Sequence, residues 1–312
     1  APKAGPTAHA ESPTIASDPI PHDAAPVVAA IATAPERSNR SLSLLESFRS
    51  TSKGIVKAIQ TAAGLSSRDS KIDSWGKDLA LTSALRPFGE WLIDRYWRID
   101  IGGAEQIPQG PCILVANHAG ALPIDGPVLQ LAIQRARPEV PESRWLLEDE
   151  LFYAPCIGVL ANRLGAVRAS PENALALLAE GRPLVVFPEG IHGLSKPFAD
   201  RYQLRRFGRG GYLKIAIRAR VPIIPIAIVG GEEAMPLLAK LPGGIFGMKH
   251  LPLTVPPLPT RWYIRFGAPV DLTGAPSEPE RDLAWIDRTN LRVRDTIEAM
   301  IKTLLKSRSG VF

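Results

Sequence analysis

The stretch Leu114-Val115-Ala116-Asn117-His118 runs from apolar residues into a titratable side chain, and Asp125 follows six residues after the histidine. An imidazole titrates near neutral pH and can take the proton of a hydroxyl. A carboxylate on its other ring nitrogen fixes the tautomer and stabilises the imidazolium that forms. Taken alone, the pair is equally the pattern of a structural hydrogen bond. A second apolar run, Leu184-Val185-Val186-Phe187, ends in Pro188-Glu189-Gly190. There a carboxylate meets a glycine, which lets backbone amides approach a ligand closely. The third feature is basic. Between Lys196 and Arg220 stand Lys196, Arg201, Arg205, Arg206, Arg209, Lys214, Arg218 and Arg220 against the single acid Asp200. Such a run is either a solvated face or a phosphate-holding patch, for which guanidinium forks are suited. The glycines around Arg209 match neither a dinucleotide fingerprint nor a P-loop in spacing.

Alternating strand-like and helix-like segments must position these residues. Residues 97–101, 111–116, 145–148, 184–187, 221–229 and 261–266 read as strands. Residues 127–136, part of 152–164, 171–179, 212–219 and 284–305 read as helices, with Ser170 capping the one that begins at Pro171. This order implies an α/β fold, a mostly parallel central sheet flanked by helices. Pro222 and Pro225 demote 221–229 toward a sheet edge or a strand start. Leu81, Leu85, Phe88, Leu92 and Tyr96 recur at helical spacing, with a bend expected at Arg86-Pro87. Residues 1–70 are read as a disordered, Pro- and Ala-rich arm followed by a loose amphipathic helix over 42–62, and residues 71–312 as the folded domain.

The chain has 312 residues, a net charge of +6 and a pI near 9.4. That balance favours nucleic acid, an anionic membrane surface or a phosphorylated substrate. The basic run lacks an interleaved set of base-stacking aromatics, so nucleic acid is set aside. Two cysteines, Cys112 and Cys156, are too few for a disulfide framework and read as buried thiols of a reducing compartment. Ala32-Thr33-Ala34 is like a signal-peptidase site, but acidic residues precede it where basic ones belong. No apolar run is long enough to span a membrane. Residues 235–258 are apolar yet irregular, and with the tryptophans Trp75, Trp91 and Trp97 they are expected to form a rim that dips into a lipid leaflet.

In this order, Asn117-His118 with Asp125, Gly165-Ala166-Val167-Arg168, Phe187-Pro188-Glu189-Gly190 and Val221-Pro222-Ile223-Ile224-Pro225 resemble the four sequence blocks of the glycerolipid acyltransferases, the lysophosphatidic acid acyltransferase-like (PlsC-type) enzymes. The resemblance covers roughly residues 95–270. It implies transfer of an acyl group from acyl-CoA or an acyl-carrier protein to a lipid hydroxyl, such as that of a lysophospholipid, with no bound cofactor or metal. It further implies that His118 is the base and Asp125 its partner, and that Asn117, Arg168, Glu189 and Gly190 lie on the substrate side. The implied location is the cytoplasmic, inner face of an anionic membrane, held peripherally.

Two departures stand out. The family spaces its His and Asp by four residues, and here there are six. The family continues Glu-Gly with Thr-Arg, and here Ile191-His192 follows. Either Arg168, Lys196 or Arg201 replaces that arginine, or the acceptor carries no phosphate there and is diacylglycerol or another phosphate-free alcohol. His192 is a further candidate polar contact. A non-catalytic lipid-binding protein on the same fold is the competing class, and the six-residue spacing is its support. A Gly-x-Ser-x-Gly elbow is absent from the sequence, so attack is expected to be direct, without an acyl-enzyme.

Overall fold

A computed structural model describes residues 71–155, 157–243, 250–272 and 274–312. The N-terminal arm, the helix expected over 42–62, and Cys156 lie outside the described residues. The first helix, α1 (Leu79–Trp91), is capped by Asp78, whose carboxylate accepts the Leu81 amide at 2.9 Å. It runs through Pro87 and closes in a π-helical turn, Leu92–Tyr96. Then follow β1 (Asp100–Gly102), β2 (Ile113–Ala116), α2 (Asp125–Ala136), β3 (Arg144–Leu147), α3 (Asp149–Phe152), α4 (Ile157–Leu164) and β4 (Ala166–Arg168). The chain continues through α5 (Pro171–Ala179), β5 (Leu184–Val186), α6 (Ile191–Leu194), α7 (Gly211–Ala219), β6 (Ile223–Val229) and α8 (Gly231–Ala234). A ribbon of β7 (Leu237–Pro242) and β8 (His250–Thr254) precedes β9 (Tyr263–Phe266) and the closing helix α9 (Leu283–Ser307).

Seven strands form one sheet in the order β1-β9-β6-β2-β5-β3-β4. The five from β6 to β4 are parallel, and β9 joins β6 antiparallel with β1 beside it. Both faces are covered, which is why the strands read as unbroken apolar runs. Side chains alternate between two layers with period two. Leu114, Ala116, Ile224, Ile226 and Ile228 face the layer that holds Leu129, Ile133 and Trp145. Ile113, Val115, Ala227 and Val229 face α5, α7 and α9 through Leu177, Leu213, Val293 and Ile297.

Three expectations need correction. The strand assigned to 97–101 begins at Asp100. Arg98 has φ +45°, and Trp97 is buried in the core, stacked on Trp262 at 4.9 Å with its indole N–H on the Leu258 carbonyl. Trp97 is therefore part of the core and not of a lipid-facing rim. Second, β6 lies inside the sheet, despite its prolines. Its Pro225 carbonyl accepts the Gly267 amide at 2.8 Å, so the missing N–H points toward β9, just where the antiparallel ladder ends at Ile226–Phe266. A proline at the end of a ladder leaves no bond broken. Third, the apolar stretch after Met235 is a two-stranded ribbon, and Met235 itself is fully buried. Leu238, Leu241 and Leu253 are exposed on that ribbon. Beyond α9 the chain returns to the sheet: the Val311 carbonyl accepts the Arg261 amide, and Arg308 pairs with Glu233 at 2.8 Å and lies over the Tyr202 ring.

Candidate active site

The carboxyl ends of the five parallel strands point the same way, and the polar residues gather there. Open α/β sheets hold ligands at this edge. At the end of β2, Asn117 is completely buried. Its side-chain amide donates to the Ile228 carbonyl at 2.9 Å, and its carbonyl oxygen accepts the Ile228 amide at 2.8 Å. Asn117, expected on the substrate side, thus extends the β2–β6 ladder and fixes the direction in which His118 leaves the strand.

His118 is 6% exposed. Its Nδ1 lies 2.7 Å from Asp125 Oδ2, and its ring stacks on Phe187 with centroids 4.4 Å apart. Asp125, 1% exposed at the start of α2, also accepts the Ala119 amide on Oδ2 and the Gly126 amide on Oδ1, both at 3.0 Å. The six-residue spacing is absorbed by a loop that folds outward between the two residues. Ala121 donates its amide to the Met235 carbonyl, and Gly120 takes φ +110° where a Cβ would press on the Gly231 carbonyl. With Asp125 ionised, Nδ1 carries the ring proton and Nε2 keeps a lone pair. The imidazole lines a shallow surface pocket with Pro123, Trp145, Leu147, Leu151, Phe187 and Ile191. Its charged lining residues, among those described, are Asp125 and Glu148.

Glu189, from the end of β5, is a brace. Oε1 accepts the His118 backbone amide at 3.0 Å, and Oε2 accepts the Arg205 amide at 2.7 Å. Lys196 Nζ sits 3.5 Å from Glu189 and 2.8 Å from Glu232, while Glu232 also accepts the Tyr202 amide at 3.1 Å. All three side chains are buried. Burial pushes the Glu232 carboxyl up to about 7, against the pull of Lys196. Lys196 is thus committed inward between two carboxylates. Gly190 has φ +56°, in the left-handed region that favours glycine. Three residues on, Gly193 packs α6 onto the histidine, where a Cβ would come within 2.8 Å of both Glu189 Cβ and His118 Cβ.

The other expected contacts lie apart. Arg168, at the end of β4, is held by Asp149 through two bonds of 2.8 and 2.9 Å and lies over Tyr153. It does not line the His118 pocket. His192 is exposed on α6, and Arg201 is exposed over the Phe198 ring at 4.6 Å. The basic run is dispersed. Arg205 pairs with Asp200 and Arg218 with Glu280, while Gly210 at the start of α7 faces Ile286 of α9.

Sequence reasoning missed Glu148, Gly193 and Glu232. Glu232 had a local signal, because Gly230-Gly231-Glu232 follows an apolar strand just as Glu189-Gly190 does. Glu148 had none, since its contact with the Ile191 amide joins residues 43 apart. Among the described residues no group of three or more His, Cys, Asp or Glu is placed to hold a metal ion, and no helix is long and apolar enough to cross a membrane.

A family model described as Acyltransferase matches residues 98–229, from the approach to β1 through the end of β6. That span includes His118, Asp125 and Glu189. The chain carries an acyltransferase-family domain over these residues. An uncharacterized protein of Mycobacterium tuberculosis is 34% identical over 322 residues, 97% of this chain and 90% of that protein. A Mycoplasma pneumoniae protein described as a probable 1-acyl-sn-glycerol-3-phosphate acyltransferase is 29% identical over 147 residues, 44% of this chain and 52% of its own. The fold is that of the crystal structure of the 1-acyl-sn-glycerophosphate acyltransferase PlsC from Thermotoga maritima, with a TM-score of 0.51 at 20% identity over 88% of this chain and 100% of that one.

Proposed function

We propose that the protein moves an acyl group from a thioester, acyl-CoA or an acyl-carrier protein, to a hydroxyl of a glycerolipid, with His118 as general base. The observation that carries this is the 2.7 Å contact from His118 Nδ1 to Asp125 beside a largely apolar pocket. The acceptor oxygen attacks the carbonyl carbon as its proton passes to Nε2. The tetrahedral species expels the thiolate, which takes the proton back from the imidazolium. Asp125 holds the tautomer and the charge through this cycle. A thiolate is a good leaving group because thiols are far more acidic than alcohols. The apolar walls, Trp145, Leu147, Leu151 and Phe187, suit an acyl chain.

Lipid access is the second requirement. Leu238, Leu241 and Leu253 are exposed on the β7–β8 ribbon, and the chain is basic, so a peripheral seat on the anionic inner face of a membrane fits both. The test is acyl transfer from labelled acyl-CoA and acyl-carrier protein to a panel of glycerolipids, with product masses read. His118→Ala should abolish transfer while circular dichroism and melting stay unchanged. Full activity in that variant would end the proposal.

A further inference from the structure

We infer that the acceptor at this site is a lipid alcohol without a phosphate group near the reacting hydroxyl, and that Glu148 sets this preference. The inference rests on the glycerolipid acyl transfer proposed above and names its acceptor class. Glu148 follows β3 at the mouth of the His118 pocket. Its Oε2 accepts the Ile191 amide at 3.1 Å, and its Oε1 lies where a Cβ on Gly190 would collide with it. The backbone just beyond Glu189 therefore already has an anionic partner, supplied by the protein.

Among the described residues, compensating cations do not reach this pocket. No lysine or arginine is among the described residues that line it. Arg168 is two strands away from β5 and carries its own carboxylate, Asp149, which it holds well below the usual carboxylate range. Lys196 lies behind Glu189, buried between two acids. Arg201 is exposed over Phe198. A phosphomonoester carries a charge of about −1.5 to −2 at neutral pH, so one seated here would face Glu148 without a cation from the described residues. Glu148 is exposed, and at separations of about 5 Å in a water-like dielectric that repulsion is worth about tenfold in binding at low ionic strength, falling as salt screens it. An uncharged glyceride meets no such penalty, and its free hydroxyl can donate to the Glu148 carboxylate.

A matched pair of acceptors tests this: 1-acylglycerol and 1-acylglycerol 3-phosphate, alike but for the phosphate, presented in the same uncharged detergent micelles with acyl-CoA and, separately, acyl-carrier protein as donors. The expected result at low ionic strength is a kcat/KM about tenfold higher for the phosphate-free acceptor, with the ratio shrinking as salt is added. Glu148→Gln should narrow that ratio by about tenfold, chiefly through a lower KM for the phosphorylated acceptor. A wild-type preference for the phosphorylated acceptor overturns the inference and leaves the acyl-transfer reading standing. An unchanged ratio in Glu148→Gln removes Glu148 as its cause and likewise overturns it. Acylation of neither acceptor with either donor overturns the acyl-transfer reading and the inference with it.

Discussion

Two strand ends on one sheet edge use the same kinds of residue differently. At the end of β2, an imidazole and a carboxylate meet with one ring nitrogen turned to an open pocket. At the end of β6, Glu232 meets Lys196 beside a second recess lined by Gly120, Gly193 and Met235, with Tyr202 and Glu189 taking up further contacts. The first arrangement leaves a lone pair that can do work on a ligand. In the second, the ammonium and the carboxylate are bonded to each other and to neighbouring protein groups. Residue type alone does not separate catalysis from bracing, and neither does facing a recess; what separates them is that the Lys196 ammonium is already matched by carboxylates, while the imidazole keeps a lone pair for a ligand.

The widest way to break this contrast is at His118. His118→Ala is expected to lower turnover by about 10²–10⁴-fold, the range for losing a general base, with no change in melting temperature beyond a few degrees. Asp125→Asn keeps the shape but removes the charge that stabilises the imidazolium. Its loss should be about 10²-fold and should shift the pH–rate profile, which a merely structural aspartate would not do.

The β6 end should answer in stability instead. Lys196→Met leaves Glu189 and Glu232 facing each other without a cation, and is expected to cost about 3–5 kcal/mol in denaturant unfolding. The pH dependence follows from Glu232. Its carboxyl is raised from 4.5 to about 7 in the folded chain, so the folded state binds more protons than the unfolded state between those values. Its contribution is fully present below about 4.5 and fades as pH rises through about 7. Melting curves of wild type and Glu232→Gln across pH 4–8 should therefore diverge, with the wild type losing more stability on the alkaline side. Parallel curves would show that Glu232 does not titrate in this window. The smallest effect is expected at Arg168. Its pair with Asp149 is solvent-exposed, and Arg168→Ala should change kcat/KM by about threefold or less. A large loss there would move the acceptor site toward β4.

Much of this was legible in the chain before folding, where signals are local. The strand–helix alternation, Ser170 ahead of Pro171, and the His118 and Glu189 junctions are patterns within a few residues of one another. Asp125 could be named but its reach could not, because a six-residue loop closes only by leaning on the backbone of residues 231–235, more than a hundred positions later. The brace by Glu189, the inward turn of Lys196 and the Glu148 contact were hidden for the same reason. Lys196 and Arg168 looked like phosphate ligands in a basic sequence context, and each has acids brought to it by other strands. Pro225 misled in the opposite direction: local propensity placed β6 at an edge, and the pairing geometry made the interior position free of cost.

The return of the chain after α9 bears on how the protein can be handled. Arg308 grips Glu233, next to Glu232, and Val311 is bonded to the residue that leads into β9. A force applied through residues 308–311 would be delivered to the end of the sheet beside the buried Lys196 cluster. Immobilisation chemistry and affinity handles attached there would strain the scaffold of the site, so surface loops remote from that seam are the better anchoring points for single-molecule or chip-based measurements.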